Sequence, residues 1–204
     1  MSEVKDKELF LAKIKLLAII GIFGLPLVAA MVMSSIYKDG MSCEESTSNK
    51  GDLYCHVQAL PEFELTSPRE KVVTKADLNE LWTLVYISEN GCDKTCQNQV
   101  WTIGQLNQMV GKEAGRVQRL FIYGGLIEAE ENSVSERFPR LLMGTTNADS
   151  LQQLASTLRQ PGHDSAHRIY LVDPIGQVMM SFSAELNPRD IYKDLKHLLK
   201  MTKG

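Results

Sequence analysis

The feature that most constrains this chain is a run of 21 residues, Leu16 to Ile36, that carries no charged side chain. A helix of that length rises about 30 Å, the thickness of the hydrocarbon core of a bilayer. Gly21, Gly24 and Pro26 would weaken a helix in water but are common in membrane helices. A buried core helix of this length would carry polar positions, and this run has none before Ser34. A cleaved leader would have a shorter apolar stretch, about 7–15 residues, ending at a small-residue site. Ala29 and Ala30 offer only a poor site in mid-run. The segment therefore reads as a retained, single-pass transmembrane anchor. Lys5, Lys7, Lys13 and Lys15 precede it, whereas Lys38 and Lys50 follow among Asp39, Glu44 and Glu45. The lysine excess puts the N-terminus in the cytoplasm. The remainder is then expected on the periplasmic side of a bacterial inner membrane, where disulfides persist.

The anchor divides the 204 residues into four parts: a cytoplasmic segment 1–15, the span 16–36, a linker 37–60 and one domain, 61–204. About 140 residues suffice for one core. A net charge of −3 gives no basic footprint, which argues against a nucleic-acid partner. The linker is rich in Ser, Thr, Asn and Gly and holds Cys43 and Cys55. A structural bridge between those two would stabilise by roughly 2–3 kcal/mol. A metal site from Cys43, Cys55 and His56 is the poorer reading, because no tight Cys-x-x-Cys spacing accompanies it.

Beyond Pro61 the apolar pattern alternates between two periods. Leu81–Ile87 and Val117–Tyr123 are short β-rich runs. Between them, Val100, Ile103, Leu106 and Val110 recur at helical spacing. Asn147 or Asp149 can cap a helix through Leu158. Arg168–Asp173 and Gln177–Phe182 read as a hairpin around Pro174-Ile175-Gly176, and Pro188 opens a last helix with Ile191, Leu195, Leu198 and Leu199 on one face. The acidic run Glu128, Glu130, Glu131 reads as a solvated loop. The order β-α-β, α, β-hairpin, α is that of an α/β, thioredoxin-like domain, with the hairpin as an antiparallel edge to a parallel pair.

Cys92 and Cys96 stand where the first strand of that unit hands over to its helix. Reactive groups collect at the carboxyl ends of strands in such sheets. The unsatisfied N–H groups and partial positive charge of a helix N-terminus favour thiolate. The pair could bridge, exchange with another disulfide, or bind a soft metal such as Cu(I). Two unrelated buried thiols are the bland alternative. Zinc is disfavoured by the lack of further clustered ligands. His56 and His197 read as surface residues, Trp82 and Trp101 as core or boundary aromatics, and the methionines as packing residues. No phosphate-loop, serine-hydrolase or zincin motif is present.

From about Pro61 to Leu199 the chain resembles the Sco/SenC family of copper chaperones for cytochrome c oxidase assembly. FELTSPREKVVTKADLNELWTLVYI is similar to that family's first hairpin and strand, and CDKTC occupies the place of its Cys-x-x-x-Cys motif. RFPRLLMGTTNADSLQQLASTL and RIYLVDPIGQVMMSF are similar to its later helix and hairpin. Gln97 stands where the family has proline. The family's third copper ligand, a histidine five residues before the hairpin tyrosine, would fall on Ser165, with His163 and His167 two residues to either side. Positions two apart in an extended segment face the same way, so either histidine can serve. His167 is favoured because the adjoining strand fixes its direction, whereas His163 follows Pro161-Gly162.

The resemblance implies Cu(I) held by Cys92, Cys96 and one histidine, and a protein client, an oxidase subunit or an assembly factor. Two other functions stay open. As a thiol–disulfide oxidoreductase, the chain would use Cys92 as the attacking thiolate and Cys96 as the resolving thiol. As a non-catalytic binding module it would use the thioredoxin-like scaffold alone, since fold does not fix function.

Overall fold

The structure is a computed structural model that describes residues 13, 15, 19–34, 49–68, 71–125, 128–160 and 166–202. The chain divides into two compact units, Met1–Ser42 and Cys43–Gly204. In the first, residues 19–34 form helix α1, whose apolar side chains, Phe23 and Leu25 among them, are exposed. The expected span 16–36 runs past these residues at both ends. Among the described residues no helix is long and apolar enough to cross a membrane.

The second unit is a three-layer α/β/α domain. Its central sheet contains β1 (Asp52–Ala59), β4 (Trp82–Ser88), β5 (Val117–Tyr123), β6 (Leu142–Gly144), β7 (Ile169–Val172) and β8 (Gln177–Phe182), in the order β1-β8-β7-β4-β5-β6. A separate hairpin joins β2 (Glu64–Thr66) to β3 (Val72–Thr74). The helices are α2 (Lys94–Met109), α3 (Glu128–Arg137), α4 (Ala148–Leu158) and α5 (Pro188–Met201). β4-β5 and β5-β6 pair parallel, while β4-β7, β7-β8 and β8-β1 pair antiparallel.

The period of two along the central strands builds both layers. Trp82, Leu84 and Tyr86 pack with Val100, Ile103 and Leu106 of α2 and with Ile191 and Leu195 of α5. Val85 packs oppositely, with Leu120, Ile122 and the α4 residues Leu151, Leu154 and Leu158. A strand covered on both faces has no polar alternation, which is why this part of the sequence reads as one apolar run.

The thioredoxin-like α/β expectation holds, with three differences in detail. Residues 52–59, inside the segment read as linker, form the edge strand β1, so β8 is an inner strand and not the edge. β1 is anchored at its start by Asp194 of α5, which accepts from the backbone N–H groups of Lys50 (2.7 Å) and Gly51 (2.9 Å). The acidic run at 128–131 lies in helix α3, not in a loop, and this helix is the crossover that returns the chain to β6. A helix with so few apolar residues carries no amphipathic signal, and the connection between parallel strands demands one.

Candidate functional site

The site grows from the carboxyl end of β4. Ser88 closes the turn with its hydroxyl donating to the Gly91 carbonyl at 2.6 Å. The Ser88–Gly91 loop then docks on the end of β5: the N–H of Gly91 donates to the Gly124 carbonyl (2.7 Å), and the N–H of Gly124 donates to the Ser88 carbonyl (2.8 Å). A Cβ on Gly124 would sit 2.6 Å from the Glu89 carbonyl oxygen, so this approach requires glycine there. Gly91 itself has φ +71°, a conformation that glycine adopts without cost.

Asp93 is the N-cap of α2, and its carboxylate accepts from the backbone N–H of Cys96 at 2.8 Å. Cys92 therefore stands one residue before the cap, outside the helix, and Cys96 lies in the first turn. The two are joined in a disulfide with Cα atoms 5.1 Å apart. Cys96 is fully buried against the β4 face of the core, whereas Cys92 is only partly buried. The outer sulfur is the one that an incoming group can reach, and it sits beside the positive end of the helix dipole.

His167 precedes β7 and faces this junction. Its Nδ1 is 3.0 Å from the Tyr86 hydroxyl, and its Nε2 is 3.8 Å from Asp93 Oδ2. Its carbonyl accepts from Gln99 Nε2 of α2 at 2.7 Å. Its φ of +53° is left-handed, which costs a non-glycine residue roughly 1–2 kcal/mol and is held here by the sheet on one side and α2 on the other. Burial, and after it the Asp93 charge, push the Tyr86 phenol up, so it stays protonated and keeps its hydrogen bond to the imidazole. A cleft of about 440 Å³ opens beside these groups, walled by Glu89, Asn90, Asp93, His167 and Tyr170 and crossed by the Arg159–Glu89 ion pair.

The sequence-derived residues are thus distributed unevenly. Cys92 and Cys96 are bridged, and His167 lies at the same helix terminus through Asp93. Cys43 and His163 lie outside the described residues, and of Cys55 only the backbone in β1 is described, so their pairing and role stay expectations. His56 and His197 are exposed. Among the described residues no three His, Cys, Asp or Glu side chains form a group that could hold a metal ion. Tyr86, Asp93 and Gln99 belong to the site and were missed from sequence. An Asp ahead of a helical pattern is a cap signal, so Asp93 could have been found. Gln99 and Tyr86 have no local signature.

Known proteins match this arrangement by shape more than by sequence. ScoI of Bradyrhizobium japonicum, solved with copper bound, is 23% identical with a TM-score of 0.54, covering 68% of this chain and 98% of that one. BsSco, described with a disulfide switch and as a member of the Sco family of cytochrome c oxidase assembly proteins, is 16% identical with a TM-score of 0.55 (71% and 95%). The thioredoxin domain of a thiol-disulfide oxidoreductase from Bacteroides vulgatus is 15% identical with a TM-score of 0.54 (75% and 99%). At these identities the likeness is one of fold, and it agrees with the Sco/SenC resemblance at that level. A sequence comparison with curated proteins gives no match. A family model does match, over residues 82–202, from the first residue of β4 to the end of α5. The chain belongs to the family described as transmembrane-like, thioredoxin-like, C-terminal domain.

Proposed function

We propose that this chain is a membrane-anchored, Sco-like protein that takes up Cu(I) as cargo on Cys92, Cys96 and His167 and delivers it to a client in cytochrome c oxidase assembly. The observation that carries the reading is the approach of His167 Nε2 to Asp93 Oδ2, 3.8 Å, at the terminus of the helix whose first turn holds Cys96. Two-electron reduction of the bridge by a dithiol reductant frees both sulfurs. Two thiolates and an imidazole are a soft donor set that suits Cu(I), and three ligands leave room for exchange onto a client's thiolates. The structural relatives described with copper bound and in oxidase assembly support the same reading. The apolar run 16–36 would tether the domain with its N-terminus in the cytoplasm.

The test is a Cu(I) titration of the reduced full chain in neutral detergent against a calibrated competing chelator. One tightly held Cu(I) is expected. Cys92→Ser or Cys96→Ser should abolish competition, His167→Ala should weaken it, and His163→Ala should leave it unchanged. Failure of the native chain to compete overturns the reading.

A second reading has its own support, the bridge between a reachable Cys92 and a buried Cys96. As an oxidoreductase, the reduced chain attacks a client disulfide with the Cys92 thiolate. One client sulfur leaves as thiolate and a mixed disulfide forms. Cys96 then attacks Cys92, releasing the second client thiolate and restoring the bridge. The client gains two electrons and the pair loses two. Catalytic reduction of a disulfide substrate without Cu(I) binding would select this reading.

A further inference from the structure

The inner face of β5 carries Val117, Phe121 and Tyr123 in the core against α2 and, in the same alternation, Arg119. Only 6% of Arg119 is exposed. Among the described residues no carboxylate pairs with it. Among the described residues its one hydrogen bond is from an Nη to the Gly104 carbonyl of α2, at 3.3 Å. A guanidinium has five N–H donors, so most of its capacity is unmet in a place where unmet charge is costly.

Its neighbours add to the charge and do not balance it. Arg119 lines a pocket of about 220 Å³ together with Asn107, Arg137, Phe138 and Arg140. The Arg137 guanidinium lies over the Phe138 ring, 5.8 Å from its centre, which holds it at the rim. Burial and then the Arg140 charge both act against protonation of Arg119. The pocket is also built by a close approach. A Cβ on Gly104 would meet the Phe138 ring at 2.4 Å, so glycine in mid-helix is what lets that ring approach α2 so closely. Among the described residues this pocket shares no lining residue with the cysteine cleft.

We infer that Arg119, Arg137, Arg140 and Asn107 form a binding pocket for a phosphate group. Guanidinium forks match phosphate and carboxylate oxygens alike. Asn107 distinguishes the two: its Oδ1 is buried without a hydrogen-bond partner among the described residues. An acceptor beside three cations suits a ligand that brings both oxyanion oxygens and a P–OH donor, which a hydrogen phosphate does and a carboxylate at neutral pH does not. The phosphate can come free in solution or as the terminal phosphate of a lipid headgroup, since the chemistry is shared.

The test uses the full chain in neutral detergent, titrated calorimetrically with inorganic phosphate, and then with phosphate in micelles doped with phosphatidic acid. Saturable binding is expected, weakened at least about tenfold by Arg119→Met. Arg137→Gln and Arg140→Gln, at exposed positions, should each weaken it several-fold. Arg119→Met should also raise the thermal midpoint without phosphate, because an unpaired buried charge is replaced by an apolar chain of similar length. Displacement of phosphate by phosphatidic acid assigns the site to a headgroup, and indifference assigns it to free phosphate; both support the pocket. No saturable binding of either probe, or binding unchanged in Arg119→Met and Arg140→Gln, overturns it.

Discussion

The Nδ1 atom of His167 lies 3.0 Å from the hydroxyl of Tyr86, joining the residue ahead of β7 to the strand that leads into the cysteine loop. β4 and β7 are antiparallel neighbours with Tyr86 opposite Ile169, two residues beyond His167. The sheet register itself therefore brings the imidazole to the cysteine end of β4. A hydroxyl can donate to or accept from a ring nitrogen, so the contact survives either tautomer and fixes the ring plane.

Tyr86→Phe removes that contact without leaving a hole. It should cost about 1 kcal/mol in urea unfolding and reduce Cu(I) affinity several-fold, while the Cys92–Cys96 bridge still forms. Burial raises the phenol above its ordinary value of 10.0. Below that value both states are protonated and the raised pKa costs nothing. Above it the unfolded phenol ionises first, so stability falls as pH rises. The variant should flatten this alkaline limb. An unchanged limb would show that Tyr86 does not titrate in the unfolding transition.

Asp93 combines two roles that substitution can separate. Asp93→Ala removes the cap on the Cys96 N–H and should cost about 1 kcal/mol, read from the urea midpoint. Asp93→Asn keeps an acceptor at the cap and removes a negative charge next to Cys92. Thiolate at Cys92 becomes easier to form, the reduced state gains, and the reduction potential should rise by about 10–30 mV. A glutathione redox titration measures this. An unchanged potential would mean that the Asp93 charge is not felt by the sulfur.

The central sheet, α2, α4 and α5 were legible because each carries its own signal: apolar runs for doubly covered strands, spaced apolar stripes, a cap at Asn147 and a proline, Pro188, in the first helical position. β1 and α3 were not. β1 is an edge strand with His56 and Val57 exposed, so it lacks a continuous apolar run, and its place depends on Asp194, far away in sequence. α3 is polar and owes its existence to a crossover requirement. The candidate site was legible only where chemistry and local structure coincide, at Cys92 and Cys96. Tyr86, Gln99 and the left-handed turn at His167 meet through tertiary contacts that no short window contains.

Asp194 ties the start of the edge strand to α5. It is buried and accepts from two backbone N–H groups at the entry to β1. Asp194→Ala strands both donors and should cost roughly 2–3 kcal/mol. Asp194→Asn retains an acceptor and should cost less. Hydrogen exchange should show β1 amides losing protection before those of β4 and β5. Uniform loss of protection would mean that β1 is not a separately opening element.

The unequal exposure of the two sulfurs makes a directional prediction. The attacking sulfur must come within bonding distance of a client disulfide along the line of the bond that breaks. Cys92 stands before the helix and is partly exposed, whereas Cys96 is fully buried beneath the first turn. Cys92 is also the sulfur nearer the helix terminus, where thiolate is favoured. Cys96→Ser leaves Cys92 able to attack and removes the thiol that would resolve the adduct, so mixed disulfides with clients should accumulate. Cys92→Ser leaves only the buried thiol and should trap nothing. Non-reducing electrophoresis of the two variants, each expressed as the full chain, reads the difference. Equal trapping by both would mean that the first turn of α2 opens readily and that burial of Cys96 does not set the order of attack. Trapping by Cys92→Ser alone would reverse the roles. The test is independent of copper, because a cargo site needs both sulfurs and attack needs only the first.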